Sequence, residues 1–233
     1  MVLRPPVAHV QKQEERAVNV VVVAGGDAER GDAAHLADAD LVIAADGGAQ
    51  WLDEIGVTPH VVVGDLDSAD PRLIERLEAA GVPIERHPVD KDASDAELAV
   101  ARAVEAGADE VLILGALGGD RIDHEMANLL LLTAPRFRRH GLRLIRGSTS
   151  VRALAAGEEL QLGGAPGDLV TLLPIAGDAA GVWTEGLRYQ LSGETLKAGG
   201  TRGLSNEVAL APASVRVYAG SLLVIETRKE VGS

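Results

Sequence analysis

Residues 40–68 read "DLVIAADGGAQWLDEIGVTPHVVVGDLDS", and they contain two short apolar runs that each end in glycine and aspartate. The runs "LVIAA" and "VVV" lack polar alternation, which is the pattern of a strand that is buried on both faces. The segment between them, residues 48–55, is predicted to be helical. Two buried strands joined by a helix predict a parallel pair within a sheet.

The same alternation of apolar runs and helical segments extends through residue 147. Alternation of this kind is typical of a parallel sheet with helices on both faces. Further strands are predicted at residues 19–26, 110–119 and 142–148, and further helices at residues 31–38, 71–80, 94–106 and 121–133.

The sequence changes character near residue 150. Short segments follow one another, separated by Gly, Pro, Asp and Asn, and helical periodicity is absent, which is typical of a β-sandwich or barrel. We therefore predict an α/β fold: an N-terminal Rossmann-like parallel-sheet domain with three layers, followed by a C-terminal all-β sandwich domain. The predicted divisions are a polar tail at 1–17, the α/β domain at 18–147 and the β-sandwich at 151–228.

The composition excludes several classes of function. A formal net charge of −13 disfavours binding to nucleic acid or to anionic membranes. The chain has no cysteine, which excludes disulfides, thiolate metal sites and a cysteine nucleophile. No stretch reaches the roughly 18 consecutive apolar residues that span a bilayer, and the opening residues have no apolar signal-peptide core. We expect a cytoplasmic protein that binds neither nucleic acid nor membranes.

Two carboxylates, Asp65 and Asp67, follow the apolar run "VVVG". Alternation in an extended segment points both side chains to one face, where they repel each other unless a cation lies between them. A hard divalent ion such as Mg²⁺ takes oxygen ligands and bridges carboxylates to phosphates. Asp46, which follows "LVIAA" and precedes Gly47, is a possible third acidic ligand. The alternative is turn chemistry, in which Asp67 and Asp46 cap the helices that follow them.

Other glycines and charged residues fall at the same predicted sheet edge, where parallel sheets bind ligands. Gly25 and Gly26 end the first strand, and Gly118 ends the loop after "EVLILG". In "KDASDAELAV", Ser94 and Glu97 form a capping box, which places Asp95 in the first turn of a helix. Lys91 and Asp92 immediately precede that helix. Helix capping alone explains Asp95, but it explains Lys91 and Asp92 less well.

The segment "LGGDRIDHEMANLLLL" opens an apolar helix with a polar cluster. Arg121, His124 and Asn128 share one helix face, and Asp123 adds a carboxylate in the first turn. Arg121 is suited to a bidentate phosphate contact, and the helix start itself favours an anion. A solvated helix face is the alternative. The chain has neither a G-x-x-x-x-G-K-[ST] segment nor a G-x-G-x-x-G segment after its first strand, so neither a P-loop nor a dinucleotide site is predicted.

Taken in order, these segments resemble one family, the thiamine pyrophosphokinases. The resemblance is carried by "ADGGAQWLDEIGVTPHVVVGDLDS", "DKDASDAELAV", "LGALGGDRIDHEMANLLLL" and "TRGLSNE". It implies Mg²⁺-dependent transfer of the pyrophosphoryl group of ATP to thiamine, giving thiamine diphosphate and AMP. It also implies a homodimer with active sites between subunits, a catalytic α/β domain that binds ATP and Mg²⁺, and a β-sandwich domain for thiamine binding and dimerisation.

The resemblance also implies roles for individual residues. The metal and phosphate environment would consist of Asp46, Asp65, Asp67 and Asp95, and Asp65, Asp67 and Asp95 would be catalytic. The ATP side would include Gly25, Gly26, Asp46, Gly47, Lys91, Asp92, Gly118, Arg121, Asp123 and His124. Thiamine would contact Ser205 and Asn206.

Trp183 is a candidate stacking partner, because thiamine is a flat cation and the chain has few aromatic residues. Its alternative place is the core of the sandwich. Two other functions remain open: another Mg²⁺-dependent phosphotransferase or phosphohydrolase that uses the same acidic edge, and a nucleotide-binding module without turnover.

Overall fold

A computed structural model describes residues 17–229, so the predicted polar tail, except for its last residue, lies outside the described residues. Six parallel strands form a sheet in the order β6-β5-β1-β2-β3-β4, which confirms the predicted parallel sheet. The strands are β1 (Asn19–Val23), β2 (Leu41–Ala45), β3 (Val61–Gly64), β4 (Ile84–Arg86), β5 (Glu110–Leu114) and β6 (Arg143–Arg146).

Helices connect these strands and cover both faces of the sheet. Val20, Val22 and Ile113 face one core, in which α3 packs, whereas Val21 and Val23 face a second core under α1 and α2. The predicted helix at 31–38 is a 3-10 helix in the structure. The helices are α1 (Gly48–Glu54), α2 (Pro71–Ala79), α3 (Asp95–Glu105) and α4 (Ile122–Leu131), with 3-10 segments at Arg30–Leu36 and Pro135–Phe137.

The remaining strands are antiparallel and continue the same sheet. A two-residue turn at 147–148 reverses the chain after β6, and β7 pairs antiparallel with β6. Strand β12 then pairs with β7, β8 and β9, so hydrogen bonds run unbroken from the parallel strands into the C-terminal strands. These strands are β7 (Thr149–Ala155), β8 (Glu159–Leu162), β9 (Leu169–Glu185), β10 (Ser192–Leu196), β11 (Asn206–Glu207) and β12 (Ala213–Thr227).

A third core lies among the C-terminal strands. It is built from aliphatic side chains of β7, β9 and β12, among them Leu154, Leu172, Val182 and Leu222. The chain therefore buries aliphatic surface on both faces of the parallel strands and again within the β-rich part. Within residues 17–229, no helix has the length and apolar character that crossing a membrane requires.

Candidate functional site

A cleft of about 680 Å³ lies at the carboxyl edge of the parallel strands. Volumes of about 300–1,000 Å³ are usual for ligand sites. Its walls come from the loops after β1, β2 and β5 and from the first turns of α3 and α4, as the position of the glycines and charges predicted. Among the predicted residues, the cleft is lined by Gly25, Gly26, Asp46, Gly47, Lys91, Asp92, Asp95, Gly118, Arg121, Asp123 and His124.

Close backbone contacts explain the glycines around this cleft. A Cβ atom at Gly26 would lie 2.6 Å from the carbonyl oxygen of Gly115, and one at Gly48 would collide with the carbonyl oxygen of Val23. Side chains at these two positions would therefore push the loops after β1, β2 and β5 apart. The absence of side chains keeps the floor of the cleft close to the strand ends.

Three carboxylates, those of Asp46, Asp65 and Asp67, converge beside the cleft. Each offers an oxygen, and these oxygens all lie within 4.8 Å of one another. The sequence predicted this convergence from strand alternation, and that reason was wrong, because β3 ends at Gly64. Leu66 instead adopts a left-handed conformation with φ of 65° and packs against the core under α1 and α2. The turn, rather than a strand, brings Asp65 and Asp67 to one side.

Helix capping does not account for these aspartates. The side chain that caps α2 belongs to Asp70, which accepts a hydrogen bond from the amide of Arg72 at 2.9 Å. Helix α1 follows Gly47 and receives no side-chain cap from Asp46. The alternative that Asp67 and Asp46 are helix caps was therefore wrong.

Lys91 holds two of the acidic side chains together. Its Nζ donates to Asp65 Oδ2 at 2.8 Å and to Asp95 Oδ1 at 2.5 Å, and only 13% of the lysine side chain is exposed. Burial opposes its charge, but the two hydrogen bonds outweigh burial and raise the pKa of Lys91. The same hydrogen bond from Lys91 is the main reason that the pKa of Asp65 is lowered. Lys91 thus partly neutralises the acidic group.

Asp95 occupies the first turn of α3, as predicted, after Ser94 caps that helix. Its Oδ1 accepts from Lys91 and also from the backbone amide of Asp65, at 3.3 Å. Among the described residues, the group of three converging carboxylates does not include Asp95. In this structure Asp95 positions Lys91 and the Asp65 backbone, and its contact with a metal stays a prediction.

The residues fit a hard cation, and Asp46 gives the clearest sign. Its Oδ1 is buried and has no hydrogen-bond partner, although buried carboxylate oxygens ordinarily have one. Burial raises the pKa of Asp46 by more than the nearby Ser68 hydroxyl and Gly47 amide lower it, and the neighbouring charges of Asp95 and Asp67 raise it further. An orphaned oxygen beside two further carboxylates is the ligand set that Mg²⁺ prefers.

Replacing Asp46 with Asn is expected to stabilise the protein in EDTA at neutral pH. The pKa of Asp46 is raised above its usual 3.8, so the unfolded chain releases this proton more readily and the charged form destabilises the fold. The gain should be present above the raised pKa and should vanish as the pH falls below 3.8. Melting curves of the variant and the wild type, recorded at neutral pH and below pH 3.8, should show a melting temperature at least about 2 °C higher for the variant at neutral pH only. A lower melting temperature at neutral pH would contradict this reading.

The opposite wall of the cleft is built by the start of α4. Arg121 makes a bidentate pair with Asp123, at 2.9 Å from Nε to Oδ1 and 2.6 Å from Nη2 to Oδ2. Both side chains are exposed, as is His124. Asn128, on the same face, is buried, and its Nδ2 donates to the carbonyl oxygen of Ala116. Arg121, His124 and Asn128 therefore line the cleft together, as predicted. Asn128 joins α4 to the loop after β5, and Arg121 is paired with Asp123.

Ser68 is a site residue that the sequence analysis missed. Its hydroxyl donates to Asp67 Oδ1 at 3.0 Å, and the residue lines the cleft. Its position directly after "GDLD" was the available signal, because a hydroxyl next to paired carboxylates can orient one of them.

The predicted thiamine residues do not line the cleft: Trp183 lies on β9, Asn206 on β11, and Ser205 in the turn just before β11. The Asn206 amide is engaged by backbone groups: its Oδ1 accepts from the amides of Tyr189 and Glu207, and its Nδ2 donates to the Tyr189 carbonyl. Ser205 is exposed and has a φ of 54°. Trp183 is 46% exposed, with the Arg216 guanidinium 6.0 Å from its ring. The alternative that Trp183 belongs to the sandwich core was therefore wrong.

Comparisons with known proteins agree on one family. The model described as "Thiamin pyrophosphokinase, catalytic domain" matches residues 33–145, and "Thiamin pyrophosphokinase, vitamin B1 binding domain" matches residues 159–222. Thiamine pyrophosphokinase of Bacillus subtilis is 27% identical over 187 residues, which are 80% of this chain and 87% of that protein. Thiamine pyrophosphokinase 1 of Oryza sativa is 30% identical over 175 residues, 71% of this chain and 64% of the rice protein.

Solved structures give the same result. A crystal structure described as thiamine pyrophosphokinase from Bacillus subtilis superposes with a TM-score of 0.81 at 25% identity, covering 91% of this chain and 100% of that one. A thiamin pyrophosphokinase family protein from Enterococcus faecalis superposes with a TM-score of 0.76 at 26% identity, with the same coverage. The two family models follow each other along most of the chain, in the order of its two parts. The chain belongs to the thiamin pyrophosphokinase family.

Proposed function

We propose that this protein transfers the pyrophosphoryl group of ATP to thiamine in a Mg²⁺-dependent reaction, giving thiamine diphosphate and AMP. The observation that carries the proposal is the group formed by Asp46, Asp65 and Asp67, with its orphaned Asp46 oxygen, at the edge of a ligand-sized cleft. The proposal is supported by membership of a family whose curated relatives are named thiamine pyrophosphokinase.

Asp46, Asp65 and Asp67 would hold Mg²⁺, which neutralises charge on phosphate oxygens when it is bound. Phosphoryl transfer depends mainly on positioning and on charge neutralisation, so the other residues act by orienting ATP. The glycine loops after β1 and β2 allow backbone amides to approach the phosphates. Arg121 has the fork geometry for a phosphate, and it would exchange its exposed partner Asp123 for one.

Either Asp67 or Asp95 could orient the thiamine hydroxyl. The Asp95 Oδ1 already accepts two hydrogen bonds, from Lys91 and from the Asp65 amide. Asp67 is exposed: its amide donates to Asp65 Oδ1 at 3.3 Å, and within the described residues its side chain accepts one hydrogen bond, from the Ser68 hydroxyl at 3.0 Å. We therefore assign the hydroxyl contact to Asp67, whose carboxylate is the more accessible of the two.

Thiamine would be held by Ser205, Asn206 and Trp183, with the exposed Trp183 ring as the stacking surface. Because none of the three lines the cleft of its own chain, we propose a homodimer in which the β-rich part of one chain completes the cleft of the other. This proposal treats residues 18–147 as a Rossmann-like catalytic domain and residues 151–228 as a β-sandwich domain. The cytoplasmic location predicted from the sequence stays a prediction.

One assay tests the function. Purified protein is supplied with MgATP, with and without thiamine, and AMP, ADP and phosphate are measured. AMP whose formation depends on thiamine supports the proposal. ADP or free phosphate without thiamine would favour another phosphotransferase or a phosphohydrolase, and ATP binding without any product would favour a module that has lost turnover.

Replacing Trp183 with Ala is expected to raise the KM for thiamine about tenfold, because a cation stacked on an indole gains on the order of 1–2 kcal/mol. The KM for ATP should stay the same. The melting temperature should change little, since the ring is nearly half exposed. Tyr218→Ala, at a more exposed aromatic residue of the same sheet, is the matched control. Equal KM values for both variants and the wild type would remove Trp183 from the thiamine site.

A further inference from the structure

Arg143 and Arg152 lie directly opposite each other on the antiparallel strands β6 and β7. Like charges in directly opposed positions destabilise a sheet. Burial and the neighbouring Arg152 both lower the pKa of Arg143, although a guanidinium stays charged under physiological conditions. This arrangement costs stability and has no role in the cleft at the other end of the strands.

The two arginines differ in their partners, because only Arg152 is paired with a carboxylate. Arg152 donates from Nη2 to Glu226 Oε1 at 2.5 Å, and the other oxygen of Glu226 accepts from the Gly163 amide at 2.7 Å. Within residues 17–229, the Arg143 side chain makes no hydrogen bond and no ion pair, and its Nε, like that of Arg152, is buried without a partner. The charges of Glu226 and, to a lesser extent, Glu110 favour the charged form of Arg143, but within the described residues neither carboxylate is hydrogen-bonded or ion-paired to it. A buried cationic donor without an acceptor lowers the stability of the folded protein unless a ligand supplies the acceptor.

A cavity of about 460 Å³ adjoins these guanidinium groups, and we call it the arginine cavity. It opens at the amino ends of β5 and β6, so it lies at the opposite edge of the sheet from the cleft. Arg138, its third cation, is already paired with Glu158 at 3.0 Å. The remaining wall combines the exposed carboxylate of Glu110 with the apolar side chains of Leu112, Leu132, Phe137, Leu142 and Leu160.

We propose that the arginine cavity binds a small amphipathic monoanion, with its carboxylate on Arg143 and its apolar body against the leucines and Phe137. The charge of the ligand follows from the pairing, because Arg138 and Arg152 already have carboxylate partners and only Arg143 lacks one. The volume is within the range of about 300–1,000 Å³ that ligands occupy. The site is separate from the acidic cleft, with which it shares no lining residue.

The probe for the experiment is 3-phenylpropionate, titrated calorimetrically into the full chain in EDTA and without nucleotide. We expect saturable binding of one molecule per chain. Neutral 3-phenylpropionamide should fail to bind, and inorganic phosphate should bind at least about tenfold more weakly, because it cannot use the apolar wall. Binding of the amide as tight as that of the acid, or no binding of the acid, would overturn the proposal.

Two variants locate the binding. Arg143→Met should weaken 3-phenylpropionate about tenfold or more, since a hydrogen bond to a charged group is lost, whereas Arg143→Lys should lose less. Without the probe, Arg143→Met should melt at the same temperature as the wild type or higher, because an unpaired charge has been removed. A lower melting temperature for Arg143→Met, matched by Glu110→Gln and not additive with it, would show that Glu110 is the true partner and would overturn the proposal.

Discussion

Replacing Asp67 with Asn is expected to lower turnover by about 1,000-fold or more while leaving the fold intact. The Asp46, Asp65 and Asp67 oxygens converge within 4.8 Å, so an amide at position 67 removes one of three anionic ligands and weakens the metal. A loss of this size corresponds to about 4 kcal/mol of transition-state stabilisation, which is within the range of metal and electrostatic effects on phosphoryl transfer. The loss of turnover is measured as the rate of thiamine-dependent AMP formation at saturating ATP, compared between the variant and the wild type.

The stability of the Asp67→Asn variant separates catalysis from folding. In EDTA its melting temperature should equal or slightly exceed that of the wild type, because one of several repelling carboxylates has become neutral. Mg²⁺ should raise the melting temperature of the wild type but not that of the variant. Asp70→Asn is the matched control, since Asn also caps helices well and Asp70 is the N-cap of α2, outside the cluster. A fully active Asp67→Asn protein would refute the metal site.

Replacing Lys91 with Met is expected to destabilise the metal-free protein by about 2 kcal/mol, between the effects of exposed and fully buried ion pairs. The lysine is 13% exposed and joins Asp65 to Asp95, so its loss leaves the aspartates facing one another. The melting temperature in EDTA should fall by about 4–8 °C. Added Mg²⁺ should recover more stability in the variant than in the wild type, because Lys91 no longer competes for Asp65.

The pH dependence of the Lys91→Met effect gives an independent check. The pKa of Asp65 is lowered below its usual 3.8 and the pKa of Lys91 is raised above its usual 10.5. The pair therefore contributes fully between these two values and is lost as the pH falls through the lowered pKa of Asp65 or rises through the raised pKa of Lys91. Arg86→Met, which breaks an exposed pair with Glu78, is the control and should cost far less. Equal losses for the two variants would mean that Lys91 is only a surface charge.

Much of the fold could be predicted because the parallel strands are continuous aliphatic runs, which few other structures accommodate. Strand β4 was not predicted, because its three residues, "IER", are partly exposed and include only one apolar side chain. The pairing of β7 with β6, which makes the sheet continuous, was not predicted. It depends on one turn at Gly147–Ser148, where a glycine with φ of 52° allows β7 to fold back on β6. The loss of helical periodicity near residue 150 predicted a domain boundary there, whereas the hydrogen bonds between β6 and β7 continue the sheet across that point.

The candidate site could be predicted as a set of residues but not as a geometry. Strand ends in a parallel sheet meet at one edge, so the acidic residues and glycines had to gather there. The left-handed turn at Leu66 and the bridge from Lys91 to Asp65 depend on how two loops pack, and local sequence preferences contain no such information. Trp183 was ambiguous for a related reason: an aromatic residue on a strand faces inward or outward according to the register, and β9 turns it outward.

The position of β12 has a consequence for how the chain acquires its structure. This strand lies between β7 and β9, yet it is the last strand in the described sequence, at Ala213–Thr227. Because synthesis runs from the N-terminus, the other described strands are made before β12, and β7 and β9 cannot gain their shared neighbour until it has been made. Until β12 is made, the edges of β7 and β9 that it will cover stay unpaired, and unpaired strand edges favour mispairing.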